Sequence, residues 1–172
     1  QAPSGGGPGD EREVTVLHIA DLHGALDVHP EIFIDGDGRP TFRPAGGLPL
    51  LASALAAERA AARGQTLVGN VGDAIHGSGV AEWTQGAALV PLLNALGIDA
   101  YVPGNWEFAY GPEVLRRRMR EINHPVLALN LFDAATNERL FAPSVVREIN
   151  GVRVAVIGIT SLIVDKSMAP AL

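Results

Sequence analysis

The chain has 172 residues, of which 47% are hydrophobic, so it can bury a core of about one domain. Its formal charge of −6 and isoelectric point near 5.3 argue against a partner that is a nucleic acid polymer, since such a partner requires a basic patch. The absence of cysteine excludes thiolate chemistry, and no apolar run reaches the 18 residues of a transmembrane segment.

Residues 1–13 are interpreted as a flexible lead into the first strand, and residues 14–172 as part of one catalytic domain. The first ten residues are rich in Gly, Pro and Ser and too polar for the hydrophobic region of a signal peptide. Such a lead is what remains after signal cleavage, which favours a periplasmic or secreted protein. An arbitrary boundary of the sequence explains it equally well.

Hydrophobic patterning predicts strands and helices in alternation as far as residue 129. The predicted strands are 14–19, 66–71, 98–102 and 125–129, and the predicted helices are 47–63, 85–96 and 112–122. Pro112 suits the first position of the third helix. This alternation is typical of parallel βαβ units and indicates an α/β fold.

Two segments depart from the alternation. Residues 28–44 interrupt the first crossover and are predicted to form a long loop or a small hairpin. Asp35 and Asp37 resemble part of a calcium loop, but Gly46 stands where that loop needs Glu, so a plain turn is favoured. Asn150 and Gly151 predict a tight turn between antiparallel strands at 145–149 and 152–159.

Polar clusters directly follow three of the predicted strands. Asp21 and His23 follow the first, Asp73 the second and Asn105 the third. The carboxyl ends of parallel strands meet at one sheet edge, where α/β proteins bind ligands. Oxygen donors with one imidazole suit Mn²⁺, Mg²⁺, Fe or Zn²⁺. Each cluster alone is weak evidence, but together they predict a two-metal site of the kind found in hydrolases.

Residues 18–24, 70–73 and 104–107 resemble the motifs of the calcineurin-like metallophosphoesterases. Within that family the resemblance is to the 5′-nucleotidase branch, which includes periplasmic thiosulfohydrolases. Residues 45–48 and 130–131 match this branch too, so the resemblance extends over about residues 14–165. It implies a metallophosphoesterase-like four-layer αββα sandwich, in which two sheets pack between helices, and this chain would hold the first half only.

The resemblance also implies roles for individual residues. Asp21 and His23 would bind one metal ion, Asp73 would bridge two, and Asn105 would bind the second. Two divalent ions are expected, with Mn²⁺ preferred and Zn²⁺, Fe or Mg²⁺ as alternatives. The family completes its site with histidines expected beyond Leu172, so the 172-residue chain alone is expected to be inactive. His18 is expected to point into the core.

The third motif departs from the family pattern Gly-Asn-His-Glu-Phe-Asp. Trp106 replaces the His, which acts as an acid or as a transition-state stabiliser, and Ala109 replaces the Asp that orients it. Either the substrate has a leaving group that needs little protonation, such as sulfur, or another group helps, for which His76 is the candidate. A packing role for Trp106 and for His76 remains an alternative. Gly77 and Ser78 are candidate substrate-binding residues, through backbone N–H groups.

The resulting hypothesis is a dinuclear-metal hydrolase of a small molecule. Its substrate would be a phosphate ester, as in a 5′-nucleotidase, or a sulfur-bound sulfonate or sulfate, as in a thiosulfohydrolase. The alternative is a degenerate, non-catalytic metal-binding or interaction protein of the same fold. A dinucleotide-binding fold is excluded because no G-x-G-x-x-G follows the first strand.

Overall fold

The computed structural model describes residues 11–167, and its elements follow the predicted alternation. The strands are β1 (Thr15–Ile19), β2 (His29–Ile34), β3 (Pro40–Ala45), β4 (Thr66–Asn70), β5 (Ala100–Tyr101), β6 (Ser144–Ile149) and β7 (Val152–Ile157). The helices are α1 (Leu48–Ala61), α2 (Gly79–Thr84), α3 (Val90–Ala95), α4 (Pro112–Glu121) and α5 (Val164–Ser167), with a 3-10 turn at Trp106–Phe108. No helix within the described part of the chain is long and apolar enough to cross a membrane.

A parallel sheet in the order β1–β4–β5 positions the candidate site. Thr15 lies opposite Thr66 and Ile19 opposite Asn70, so β1 and β4 end together. The βαβ prediction is therefore confirmed. The predicted third strand is only two residues long, and the predicted fourth strand forms single bridges, from Val126 to Tyr101 and from Leu127 to Ala142.

The core lies between this sheet and the helices that cross over it. Helices α1, α3 and α4 each bury leucines, among them Leu55, Leu93 and Leu115. Each fully buried leucine contributes about 1.5–3 kcal/mol of hydrophobic stabilisation. Burial of these helices on one sheet face leaves the carboxyl edge of the sheet free to carry loops.

The predicted helix over residues 85–96 is wrong in its extent. The segment begins with a turn, because Gln85 ends α2 in the left-handed conformation (φ 48°) and Gly86 follows at φ 77°. A Cβ at Gly86 would lie only 2.9 Å from the Cβ of Ile75, so the turn packs against the strand–loop region. Helix α3 starts later, at Val90, and α2 has no counterpart among the predicted elements.

Both predicted hairpins form. Strands β2 and β3 pair antiparallel. In the turn between them, the Asp35 carboxylate accepts the backbone N–H groups of Asp37 and Arg39 at 2.9 and 2.8 Å, as in a plain turn. Asn150 and Gly151 form the turn between β6 and β7, both at positive φ. That pairing ends at Ile157, two residues before the predicted end.

One face of β1 and the end of β7 expose hydrophobic side chains to solvent. Residues alternate across β1, so Ile19 is buried on the helix side while Val16 is 60% exposed on the other. His18 shares the exposed side, and the prediction that it points into the core is wrong. Ile157 at the end of β7 is 62% exposed as well.

Candidate metal centre

The loops that leave the carboxyl ends of β1 and β4 are hydrogen-bonded side by side. The backbone N–H of Asp21 donates to the carbonyl of Gly72 at 3.2 Å, and that of His23 donates to the carbonyl of Asp73 at 2.8 Å. These bonds continue the parallel pairing of the two strands beyond their last residues. The candidate side chains of both loops are consequently held at the same edge.

Asp21, His23 and Asp73 are brought together at this edge. Each offers one ligand atom, and these atoms lie within 4.8 Å of one another. The Nε2 atom of His23 is 3.7 Å from a carboxylate oxygen of Asp21. Asp21 is exposed, whereas His23 and Asp73 are half-buried. Two carboxylates and an imidazole at this spacing fit a divalent cation that prefers oxygen and nitrogen ligands.

All three of these residues have left-handed backbone conformations. The φ angle is 54° at Asp21, 45° at His23 and 51° at Asp73. Only a few per cent of non-glycine residues have positive φ, and each such residue costs about 1 kcal/mol or more. The surrounding hydrogen bonds must therefore hold the three side chains in place against this cost.

Asn105 lies directly beside Asp73. It precedes the 3-10 turn, and the backbone N–H of Trp106, the next residue, donates to Oδ1 of Asp73 at 2.8 Å. One carboxylate oxygen of Asp73 is thus fixed by the third loop. The third predicted cluster is accordingly brought to the same edge as the first two.

Glu107 links the second loop, which follows β4, to the third loop, which follows β5. Its buried carboxylate accepts the backbone N–H groups of Asp73, Ala74 and Gly104 at 2.7–2.8 Å, and the hydroxyl of Tyr101 at 2.7 Å. Burial, and then the adjacent Glu107 charge, raise the pKa of Tyr101 well above its usual value, so this hydroxyl remains a donor. The sequence pattern did not predict a role for Glu107.

Two glycines allow this close approach. A Cβ at Gly72 would overlap the backbone nitrogen of Gly104, and a Cβ at Gly104 would overlap the carboxylate of Asp73. Gly72 also has φ 84°, which side chains rarely tolerate. The glycines in the second and third motifs are therefore required by packing of the loops around Asp73.

Gly77 and Ser78 line a cavity of about 800 Å³ together with Asp21 and His23. A Cβ at Gly77 would lie 2.7 Å from the carbonyl oxygen of His23, so this loop is packed against the first one. The Ser78 hydroxyl accepts the backbone N–H of Ala81 at 3.3 Å and caps α2. Both residues are near the candidate ligands, as a substrate-binding role requires.

His76 lies in an aromatic cluster at this edge. Its Nε2 is 2.7 Å from a carboxylate oxygen of Glu82, and its ring stacks on Trp106 with centroids 4.4 Å apart. Trp106 also meets the ring of His23 edge-on, at 6.2 Å. The sequence indicated His76 and Trp106 separately but not Glu82, because only the fold brings α2 back to the loop.

The remaining histidines are outside this ligand group. His29 lines the same cavity from β2 and is paired with Glu31 at 3.2 Å. His124 donates to or accepts from Asn123 through Nδ1 at 3.0 Å, while its Nε2 is buried and finds no hydrogen-bond partner within the described part of the chain. Burial lowers the pKa of His124 to about 4, so this ring is neutral at pH 7.

Comparisons with known proteins agree with this geometry. A probable 5′-nucleotidase of Treponema pallidum is 33% identical over 154 residues, which cover 87% of this chain and 25% of that protein. The solved NAD nucleotidase of Haemophilus influenzae superposes with a TM-score of 0.75 at 27% identity, over 87% of this chain and 26% of the other. The chain is therefore similar in sequence and in fold to the 5′-nucleotidases of the calcineurin-like metallophosphoesterases. No protein-family model matches it.

Two further solved structures are similar to this chain. The 5′-nucleotidase precursor of Thermus thermophilus has a TM-score of 0.71 at 29% identity, over 91% of this chain and 31% of that one. The sulfate thiohydrolase SoxB of Thermus thermophilus has a TM-score of 0.75 over 88% of this chain and 36% of the other, but 22% identity, so it shows a likeness of fold alone.

The predicted resemblance and the predicted α/β class are thereby confirmed. The chain spans 14–26% of the length of the curated relatives that it matches over most of its own length. Their names describe hydrolases, which places the chain in a hydrolytic family. The roles of single residues in metal and substrate binding remain predictions.

Proposed function

We propose that this protein is a metallophosphoesterase, a metal-dependent hydrolase of a small phosphate ester or of a sulfur-bound sulfonate. The observation that supports this most strongly is the convergence of Asp21, His23 and Asp73 at the carboxyl edge of the parallel sheet. All three donors have strained backbone conformations, and their chemistry fits divalent cations.

We assign Asp21 and His23 to one ion, Asp73 to a bridging position and Asn105 to a second ion, with Mn²⁺ as the preferred metal. Divalent ions at such a site act as Lewis acids that activate water and neutralise developing charge. The chain's own contribution is to hold the Asp73 carboxylate at Oδ1 through the Trp106 N–H, and no hydrogen bond from residues 11–167 reaches its other oxygen. Gly77 and Ser78 are proposed to contact the substrate from the cavity wall.

The third loop favours a substrate whose leaving group is readily expelled. Ala109 closes the 3-10 turn and offers no polar group, and the Trp106 indole is stacked on His76. A positioned acid typically contributes about 10²–10⁴ in rate, so its absence matters little only for leaving groups of low pKa. A sulfur leaving group satisfies this condition, and an alkoxide does not.

A second candidate function is a non-catalytic metal-binding or interaction protein of the same fold. The joint replacement of His by Trp106 and of Asp by Ala109 is the observation that favours it. In this case the Asp21, His23 and Asp73 group would still bind a metal ion. The two candidates therefore differ in turnover and agree in metal binding.

The test is a turnover assay on the full-length protein, stripped of metal by a chelator and reloaded with Mn²⁺. Adenosine monophosphate, p-nitrophenyl phosphate and a thiosulfonate serve as substrates. We expect metal-dependent hydrolysis that is fastest for the thiosulfonate or the aryl ester. Stoichiometric metal binding without hydrolysis of any of the three would favour the non-catalytic candidate instead.

We also propose a periplasmic or secreted location. It is supported by the composition of residues 1–13 and by the similarity to the Thermus thermophilus protein, which is described as a 5′-nucleotidase precursor. Fractionation of the native cells with an antibody against the chain tests it. Recovery of the protein with cytoplasmic markers would contradict it.

A further inference from the structure

Four side chains form a cluster beside the candidate metal ligands, which we name the His76 cluster: His76, Glu82, Trp106 and Tyr110. Its centre is the imidazole of His76, whose side chain is only 19% exposed. Metal binding by the three converging ligands uses none of these side chains. The cluster therefore calls for a separate explanation.

Contacts fix the His76 ring on three sides. Glu82 approaches Nε2 at 2.7 Å, Trp106 stacks on one face at 4.4 Å, and Tyr110 lies 5.3 Å away at a tilt of 38°. The Tyr110 hydroxyl also donates to the Glu82 carboxylate, in a long hydrogen bond of 3.3 Å. Burial, and then Glu82, raise the pKa of Tyr110, so its hydroxyl is a donor.

The Glu82 contact determines which ring nitrogen is available. A carboxylate oxygen has no proton, and at 2.7 Å it would repel an unprotonated ring nitrogen, so Nε2 of His76 carries the proton. Among residues 11–167, no hydrogen bond to Nδ1 of His76 is found. Catalytic imidazoles are commonly oriented in this way, with one nitrogen held by a carboxylate and the other directed to the reaction.

We call the sheet edge that carries Asp21, His23 and Asp73 the metal edge. The His76 cluster contacts this edge on two sides. Trp106, which stacks on His76, donates its backbone N–H to Asp73 and meets His23 edge-on. Gly77, the residue after His76, is packed against the carbonyl of His23. The His76 ring is thus held beside the candidate ligands and does not lie elsewhere on the surface.

We propose that Glu82 is a positioning residue that orients His76 toward the leaving group. The His76–Glu82 pair would then replace the His–Asp pair that the family pattern places at positions 106 and 109. This inference rests on the proposed hydrolase function. The ring first takes up a second proton at Nδ1 from solvent while Nε2 keeps its own. As the bond from phosphorus or sulfur to the leaving atom breaks, Nδ1 gives this proton to that atom, and the ring returns to the Nε2–H form. Water supplies the hydroxyl that adds to phosphorus or sulfur and releases its remaining proton to solvent.

The experiment compares Glu82→Ala with the matched variant Glu113→Ala in the full-length protein. Glu113 is a glutamate on α4 whose side chain is 89% exposed, and it lies outside the cluster. The kcat and KM of both variants are measured with a methyl and a p-nitrophenyl ester of phosphate, together with metal content and Tm. The ring nitrogens of His76 are followed by ¹⁵N NMR.

We expect Glu82→Ala to lower kcat for the methyl ester about 10-fold more than for the p-nitrophenyl ester, with KM and metal content unchanged, as loss of proton donation predicts. NMR should show loss of the single Nε2–H form. Glu82→Gln keeps an acceptor oxygen and should restore part of the methyl-ester rate. If Glu82→Ala is unstable, this milder variant carries the comparison.

Equal losses on both esters, or the same ester ratio as in Glu113→Ala, would overturn the positioning role even if the enzyme is active. A wild-type protein without any turnover would refute the proposed function instead. The NMR result remains informative then, since an Nδ1–H form in the wild type contradicts the Glu82 contact directly.

Discussion

Two regions of the molecule face the same cavity and are held in opposite ways. The metal edge is fixed from within, because the buried Glu107 carboxylate accepts four hydrogen bonds from the second and third loops. The β2–β3 hairpin is fixed mainly by its own pairing, and its Phe42 is 68% exposed. Yet its His29 and Glu31 line the cavity alongside Asp21.

The difference indicates where the chain tolerates change. Buried, charged hydrogen bonds are costly to break, whereas exposed polar pairs contribute little. We therefore expect substitutions at the metal edge to be severe and similar substitutions on the hairpin to be mild. The residues of the β2–β3 hairpin can therefore be substituted without changing the geometry of the sheet edge that carries Asp21, His23 and Asp73.

The largest effect is expected for Asp73→Asn. A carboxylate that serves two ions should be the most sensitive residue, and its loss should reduce kcat/KM by more than the roughly 10–100-fold typical of residues that only support a metal ligand. Asp37→Asn, in the hairpin turn, is the matched control and should keep wild-type activity. Equal activity of the two variants would contradict a central role for Asp73.

Glu107→Gln should be the most destabilising change at the edge. The glutamine amide presents N–H groups to backbone N–H donors, so at least one buried donor loses its acceptor. We expect a loss of about 2–4 kcal/mol in the free energy of unfolding. Glu31→Gln on the hairpin should cost within about 0.5 kcal/mol. Urea unfolding measures both, and similar values for the two variants would refute the contrast.

The double variant Trp106→His plus Ala109→Asp tests whether the edge has lost its acid. If the His76–Glu82 pair does not supply a proton, the double variant should speed up poor leaving groups by up to about 10²-fold and leave good ones unchanged. The measurement is a leaving-group series on the wild type and the double variant. A flat wild-type series means that another group already supplies the proton, and His76→Ala should then steepen the dependence. If His76→Ala does not steepen it, the interpretation of this motif is wrong.

The smallest effect concerns His124, far from the ligands along the chain. Its pKa is about 4 when folded against 6.5 ordinarily, so the unfolded chain binds a proton that the folded chain does not. Stability from this group is complete above pH 6.5 and is lost as the pH falls toward 4. After screening by solvent we expect about 1 kcal/mol. His124→Asn should show a correspondingly weaker loss between pH 7 and 4.5, and an unchanged pH dependence contradicts this.

Local sequence signals predicted the elements that local interactions determine. The Asn150–Gly151 turn and the Asp35 turn follow from residues with well-defined turn preferences. The candidate ligands could also be placed, because Asp21 and Asp73 directly follow strands that end together. The topology then brings their loops to one edge.

Other features depend on contacts between distant parts of the chain and gave no local signal. The helix predicted from residue 85 is interrupted because Gly86 packs on Ile75. The role of Glu107 could not be predicted because its partners Asp73 and Ala74 lie more than 30 residues earlier. The prediction for His18 failed because the strand pattern does not say which face the helices cover.

The most direct test of the metal centre is elemental analysis of the full-length protein after equilibration with Mn²⁺ and gel filtration. The wild type should retain close to two equivalents, Asp21→Ala and His23→Ala should lose chiefly one, and Asp73→Asn should lose at least one. Asp37→Asn, the hairpin control, should retain the wild-type amount. Unchanged metal content in Asp73→Asn would contradict the bridging role at the sheet edge.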